Sequence, residues 1–338
     1  MCCMKDSHLP HRKPSDSFWI GPIEIRNRVI LAPMSGVTDL PFRALAWRHG
    51  AGLVVTEMIA SRELTFNTAE SWVRLRGAGL KPHMVQLAGR DPHYMAEAAR
   101  IAEANGADII DINMGCPAKK VVGGYTGSAL MREPERALEI IEATVGAVKV
   151  PVTVKMRLGW GHDSINAPYL ARRAQEAGVQ AITVHGRTRM QFYKGEADWQ
   201  AIERVAEVVS VPFIANGDIE SREDAAYLLS RPGITAVMVG RSCQGRPWHA
   251  GYLAGRGEPA FDEKARIAIE HYQAMIGFYG PEVGVRHARK HLGWYLERLA
   301  PGVGAEARSS IMTSDDPAFV SAQLAAIFEY ASPERKAA

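Results

Sequence analysis

Residues 152–185 read VTVKMRLGWGHDSINAPYLARRAQEAGVQAITVH. The stretch opens on a short apolar run, Val152–Met156, and closes on another, Ala181–His185. Between them lies a segment of helical period, Asn166–Ala177, with Asn166 placed to cap it and Gly178 to end it. Both runs are too short for helices and are mostly apolar on both faces, as strands of a parallel sheet are when helices cover them. The unit is therefore strand, helix, strand.

The same unit recurs outward in both directions. Strand-like runs stand at Val29–Met34, Leu53–Met58, Met84–Leu87 and Ile109–Asn113 on one side, and at Phe213–Asn216 and Ala236–Val239 on the other. Helical patterns fall between them at Asp91–Asn105, Pro134–Val148, Trp199–Val208 and Arg222–Leu229. Eight such units in one series predict an α/β fold of the closed (β/α)8 TIM-barrel type. An open doubly wound sheet would carry a G-x-G-x-x-G turn after an early strand, and none occurs there. After Arg241 the strand-like runs stop. Helical segments follow at Glu263–Phe278, Gly284–Ala300 and Pro317–Tyr330, with loops at Tyr279–Pro281 and Pro301–Gly304. The expected organisation is a polar, disordered extension over 1–17, a barrel over 18–250 and a small C-terminal helical domain over 251–338.

Composition agrees with this reading. Of 338 residues 47% are hydrophobic, 8% aromatic and 23% charged, fractions that exclude a disordered chain, a collagen-like repeat or a disulfide miniprotein. Forty Lys and Arg against 37 Asp and Glu leave a formal charge of +3, so only a local basic cluster can indicate nucleic-acid binding. The cysteines Cys2, Cys3, Cys116 and Cys243 have neither disulfide-framework nor zinc-site spacing, and no metal is expected. The first 17 residues lack an apolar signal core, and no apolar run approaches the ~18 residues of a membrane span. A soluble, cytoplasmic chain is expected.

In a barrel of this type chemistry sits at the C-terminal ends of the strands. Those ends carry Pro33-Met34-Ser35, Glu57, Gln86, Asn113, Lys155, His185, Asn216-Gly217-Asp218 and Gly240-Arg241. One polar residue ending a strand means little, but eight converging on one mouth imply a ligand that hydrogen-bonds to them. Loops after strands seven and eight commonly form a phosphate site. Here they supply glycines and the Arg241 guanidinium, which suits a ligand with a terminal phosphate. Lys155 then faces the middle of that ligand, where a cation suits a group that becomes anionic on reduction, such as a flavin. Pairing of Lys155 with Glu57 or Asp111 accounts for it equally well.

Cys116 stands in Asn113-Met114-Gly115-Cys116-Pro117, a loop at the active end and a poor place for a core thiol. With an unperturbed pKa of about 8.5 it is protonated at neutral pH and can act as an acid. Cys243 reads as core. The loop Ala118–Tyr125 is basic and glycine-rich, as a lid touching a polyanion would be. His185-Gly186-Arg187-Thr188-Arg189 makes an anion-facing loop. Val285–Arg298 reads VRHARKHLGWYLER; as a helix it gathers Arg286, His287, Arg289 and Lys290 on one side, with His291, Trp294 and Tyr295 near them. That combination suits an RNA backbone.

Together these residues resemble the tRNA-dihydrouridine synthase family. APMSGVTDLPFR, QLAGRDP, DINMGCPAKKV, VKMRLGW, TVHGRTR, ANGDI, VGRSCQGRPW and GVRHARKHLGWY stand in family order from Ile25 to Tyr295, and DINMGCPAKKV and RHARKHLGWY resemble the bacterial B-type subfamily. The resemblance implies an FMN-binding barrel followed by a helical tRNA-binding domain. It implies that NADPH reduces FMN, that flavin N5 gives hydride to C6 of a D-loop uridine, and that Cys116 gives a proton to C5. By motif, Pro33, Met34, Ser35, Gln86, Lys155 and His185 would hold the flavin ring and ribityl chain, and Asn216, Gly217, Asp218, Gly240 and Arg241 the phosphate end. Asn113, Arg157 and Arg187 would contact the flipped uridine. Lys119, Lys120, Arg286, Arg289 and Lys290 would track the RNA backbone of a substrate bound by a monomer. Ser35 departs from the alanine more usual after Pro-Met, and the extension before Phe18 has no counterpart in the family. An FMN barrel acting on a free pyrimidine, as dihydroorotate dehydrogenases do, is the nearest alternative. A non-catalytic RNA-binding protein is a more distant one, against which Cys116, Lys155 and His185 argue.

Overall fold

A computed structural model describes residues 12–118, 121–122 and 126–333, so expectations placed on Lys119, Lys120, Cys2 and Cys3 lie outside the described residues. The sheet comprises β3 (Val29–Leu31), β4 (Leu53–Val54), β5 (Ile59–Ala60), β6 (Met84–Ala88), β7 (Ile109–Met114), β8 (Val152–Arg157), β9 (Ala181–His185), β10 (Phe213–Asn216) and β11 (Ile234–Val239). Each pairs in parallel with its neighbour, and β11 pairs with β3. A parallel bridge from Val55 to Met84 carries the second strand across to the third, so the ring closes with eight strands. This is the expected TIM barrel.

Two expected strands end early, for visible reasons. Val29–Met34 leaves the sheet at Leu31 because Pro33 has no N–H to give the ladder, and Met34 N donates instead to Thr38 Oγ1 at 2.8 Å. Leu53–Met58 is split: Thr56 Oγ1 accepts from Gln86 N at 3.0 Å and Glu57 Oε1 accepts from Gly36 N at 2.5 Å, taking this stretch out of the regular pairing. Asn166 occupies the N-cap of its helix (Ala167–Glu176) without capping it, because its Nδ2 donates to Met131 O at 2.7 Å.

An antiparallel hairpin, β1 (Phe18–Ile20) with β2 (Ile23–Ile25), precedes the barrel and closes its lower end. Phe18, Ile20 and Ile25 point inward and share a cluster with the inward residues Ile30, Leu53, Met84, Ile109, Ala181, Ile214 and Ala236, while Trp19 and Glu24 face out. Residues 12–17 are not a free extension: Arg28 N donates to Pro14 O at 2.9 Å, its guanidinium donates to Ser17 O at 3.1 Å, and Arg12 donates to Ile234 O. The larger cluster lies between the sheet and the covering helices.

The C-terminal part is four helices, at Phe261–Tyr279, Pro281–Leu299, Ala305–Thr313 and Pro317–Ala331. Ala305–Thr313 was not expected; Ile311 is its one buried residue, too little for an apolar stripe. Gly280, at φ 78°, turns the first helix into the second with no room for a longer loop. Their core joins Leu45 and Trp248 of the barrel part to Tyr272, Met275, Leu292, Leu296 and Phe328. His291 and Tyr295, expected beside the basic face, are buried in this core instead. The Tyr295 hydroxyl lies 3.0 Å from His271 Nδ1, and the His271 and His291 ring centroids are 4.6 Å apart.

Burial lowers the His271 pKa from 6.5 to about 3. A base whose folded pKa is depressed binds its proton more readily when unfolded. Its contribution to stability is therefore complete above 6.5 and is lost as pH falls toward 3. Urea unfolding of wild type and His271→Gln between pH 7 and 4.5 should give a stability difference that shrinks by about 1.4 kcal/mol per pH unit below the unfolded pKa. Parallel profiles would contradict a neutral, buried His271.

Candidate active site

Parallel register sets the strand ends side by side. Asn113 is level with Lys155, Arg157 with His185, and His185 with Asn216. Together with the loops that follow, they line a cavity of about 530 Å³ at the C-terminal mouth. Pro33, Met34, Ser35, Gln86, Asn113, Cys116, Lys155, Arg157, His185, Asn216, Gly217, Asp218, Gly240 and Arg241 all reach it. Met58, Phe192, Tyr193, Ser242 and Gln244 line it too, and sequence reasoning had passed over them. Tyr193 had a signal: it lies six residues past Arg187, in the loop that strand six must send over the mouth.

One side of the cavity is organised by a buried carboxylate. Asp111 Oδ1 accepts from Thr153 Oγ1 at 2.6 Å and Oδ2 from Gln86 Nε2 at 2.7 Å. Gln86 Oε1 accepts from Asn113 Nδ2 at 2.8 Å, and Asn113 Oδ1 accepts from Cys116 N at 3.0 Å and Gly115 N at 3.2 Å. Burial raises the Asp111 pKa to about 6, offset by the Thr153 and Gln86 bonds, so it is a carboxylate at neutral pH. A carboxylate only accepts. Gln86 must therefore turn its amino group inward, and the orientation of Asn113 follows.

The other side is cationic. Lys155 Nζ donates to Asn216 Oδ1 at 3.0 Å, and no carboxylate among the described residues forms an ion pair with it. Neither Glu57 nor Asp111 is bonded to it directly, although the Asp111 charge acts on it from the facing wall and helps keep it protonated. Burial, and secondarily the Arg157 charge, lower its pKa to about 8. The Arg157 guanidinium donates to Gly115 O, Thr188 O and Phe192 O at 2.7–2.9 Å, stitching together the loops after strands four and six. Its pKa, lowered by burial to about 10, leaves it charged. The Tyr193 ring lies 5.5 Å from both the Arg157 and Arg241 guanidinium carbons. Burial, then the charges of Lys155, Arg157, Arg187 and Arg241, hold His185 well below its ordinary pKa and hence neutral. Its Nε2 faces Arg187 Nη1 at 3.3 Å. A guanidinium only donates, so the ring proton sits on Nδ1.

Arg187 is not where it was expected. It is 2% exposed and behind the cavity wall, paired with Asp218 at 2.6 and 2.7 Å and bonded to Gly195 O and Lys194 O. A guanidinium so fully used has no hand free for a uridine. Asp218 is likewise engaged, by Arg187, by Ala197 N at 2.8 Å and by Arg241 at 3.1 Å, so its carboxylate holds Arg241 rather than an anion. Burial would raise its pKa, but these partners hold it below the usual carboxylate value. Gly217 has φ 123°, and a Cβ there would meet Ala197 Cβ at 2.7 Å and the His185 ring at 2.9 Å. No other residue fits that corner.

The basic helix Pro281–Leu299 lies beside the mouth rather than in it. Lys290 Nζ sits against Gly36, where an added Cβ would come within 2.9 Å of it. Arg286 and Lys290 are exposed, whereas Arg289 is partly spent on Asp315 at 2.8 Å and on carbonyls of Thr313 and Ser314.

Burial pushes the Cys116 thiol above its ordinary value, against the Ala118 N–H and the nearby Arg157 and Lys155, and it pushes buried Cys243 up to about 12. Iodoacetamide labelling followed by peptide mass spectrometry should give Cys116 an alkylation midpoint above the ~8.5 of a free thiol, with Cys243 unreactive throughout. A Cys116 midpoint near neutrality would make it a thiolate and contradict an acid role.

Comparison with known proteins places this arrangement. The family profile described as dihydrouridine synthase (Dus) matches residues 30–329. A probable tRNA-dihydrouridine synthase of Rhizobium leguminosarum bv. phaseoli is 67% identical over 302 residues, 89% of this chain and 95% of that protein. A probable tRNA-dihydrouridine synthase of Rhodobacter capsulatus is 52% identical over 322 residues, 92% of this chain and 96% of that protein. The tRNA-dihydrouridine synthase B of Pseudomonas aeruginosa is 49% identical over 291 residues, 84% of this chain and 87% of that protein. With its barrel, its cationic cavity and the Cys116 loop over it, the chain belongs to the dihydrouridine synthase family.

Proposed function

We propose that this chain is a tRNA-dihydrouridine synthase that reduces the C5=C6 bond of a D-loop uridine to 5,6-dihydrouridine. The observation that carries the reading is the cavity itself: a protonated thiol, a buried ammonium and a fixed amide pair face one space large enough for a planar cofactor and a base. It acts as a cytoplasmic monomer without a metal, using residues 18–250 for chemistry and 251–338 for tRNA.

The residues fit flavin mononucleotide. Lys155 is a buried ammonium in no direct ion pair among the described residues, its charge only partly offset by Asp111, which suits a ring that gains negative charge. The Gly217 corner, Gly240 and half-exposed Arg241 suit a phosphate. Pro33, Met34, Ser35, Gln86, His185 and Asn216 complete that set, with Asp218 acting through Arg241. When bound and reduced by NADPH, this flavin supplies hydride for C6 of the uracil.

The chain's own residues do the rest. Hydride addition at C6 builds enolate character that ends at C5, and Cys116 Sγ delivers the proton there. The raised thiol pKa keeps that proton in place at neutral pH, and Lys155 and Arg157 stabilise the charge left on sulfur. Asn113 holds the Cys116 backbone and, with Arg157, faces the flipped base; Arg187 positions Asp218 and His185 from behind. Arg286 and Lys290 at the rim, with Lys119 and Lys120, meet RNA phosphates, and Arg289 contributes less. A free pyrimidine needs none of these charges, which favours tRNA over the dihydroorotate dehydrogenase-like reading.

Purified protein given FMN, NADPH and unmodified tRNA should form dihydrouridine, measured by nucleoside mass spectrometry. Cys116→Ala should be slower by about 10²–10⁴, the usual contribution of a positioned acid. Turnover of orotate or uracil with none on tRNA would transfer the assignment to a small-pyrimidine enzyme.

A further inference from the structure

Three loops on the rim, after strands four, five and six, bring together Arg132, Trp160 and Arg189. The guanidinium carbons of both arginines lie 4.8 Å from the Trp160 ring centroid. Neither arginine has a carboxylate partner in any ion pair among the described residues, although Arg48, Arg74, Arg90, Arg100, Arg136 and Arg231 all do. Two guanidiniums against one indole ring repel each other, and Glu133, the carboxylate that feels the Arg132 charge, is already bridged to Arg90, so the fold must hold them there. Arg189 N donates to Gly159 O at 3.0 Å and Met190 N to Trp160 O at 2.9 Å, zipping the sixth loop onto the fifth. Asn166 Nδ2 donates to Met131 O at 2.7 Å, tying in the turn that carries Arg132. Met190, 60% exposed, stands beside them.

Position in the ring gives this cluster a use. In an eight-stranded barrel strand five lies opposite strand one. Lys290 and the basic helix sit over the loop after strand one, at Gly36; the arginine–tryptophan cluster sits over the loops opposite. The cavity lies between two cationic anchors. We propose that Arg132, Trp160 and Arg189 form a second RNA-binding site. Its two guanidiniums grip backbone phosphates of the strand on the far side of the flipped uridine from the helical part. Indole packing fixes the planes of the guanidiniums, so that their donor forks are presented to phosphate oxygens at small entropic cost. A strand held at both sides of the mouth can be opened between them.

This inference rests on tRNA being the substrate, and its test separates the two. Equilibrium binding of unmodified tRNA would be measured as a function of salt for wild type and for the Arg132→Gln/Arg189→Gln double variant. Each phosphate contact contributes about 0.7–0.9 to the slope of log affinity against log salt, so losing two should lower the slope by about 1.5, with an affinity loss of about tenfold or more at low salt. Trp160→Leu, which keeps both charges but loosens them, should weaken binding while leaving most of the slope. Thermal unfolding midpoints check that each variant is folded. A double variant with wild-type affinity and slope would overturn the proposal, as would one whose only defect is a lowered midpoint, since the cluster would then merely join loops. If wild type itself shows no salt-dependent tRNA binding, the functional reading fails and the proposal falls with it.

Discussion

Much of the mouth of this barrel depends on how one buried carboxylate is satisfied. Asp111 is 1% exposed and cannot reach water, so its charge must be met by donors on neighbouring strands. Thr153 and Gln86 meet it, and the second of these bonds orients an amide whose other end orients a second amide, Asn113. The last acceptor in the chain takes the N–H of Cys116. The Cys116 loop is thus aligned from the interior, across three strands. Hydrogen bonds to charged groups are worth about 1.5–3 kcal/mol each, enough to exclude flipped alternatives.

Facing this carboxylate-anchored relay is a group of cations that the fold leaves only partly compensated. Lys155 and Arg157 are held by amide and carbonyl oxygens, and Asp218 serves Arg187 and Arg241 at once. The result is a cavity prepared for negative charge in two places, at Arg241 beside the Gly217 corner and at Lys155. His185 takes no part of the positive charge, because burial among those cations keeps it neutral. On the proposed function, this electrostatic design divides the site: one wall aims a proton, the other accepts the charge that hydride transfer creates.

Much of this was legible in the sequence because short apolar runs flanked by helical periods have few other solutions. Ala181–His185, Phe213–Asn216 and the helix Arg222–Leu229 lie where their patterns put them. What was lost is what periodicity does not encode. The hairpin over 18–25 alternates over only three residues per strand, and the break at Thr56–Met58 depends on partners in other strands. Arg187 and Arg157 look alike in their motifs, yet only the tertiary placement of Asp218 turns Arg187 inward. In Val285–Arg298 a helical wheel puts His291 and Tyr295 close to the basic residues. The packing of His271 and Phe42 against His291, and of His271 against Tyr295, sends them into the core.

The central claim, that Asp111 positions the Cys116 loop through Gln86 and Asn113, is tested most directly by Asp111→Asn. An amide of the same shape can no longer accept from both Thr153 and Gln86 without presenting a donor to one of them. The measurement is the single-turnover rate at which pre-reduced enzyme converts uridine in bound tRNA. The account predicts a fall of about tenfold or more, the equivalent of one lost hydrogen bond. A wild-type rate in this variant would contradict it.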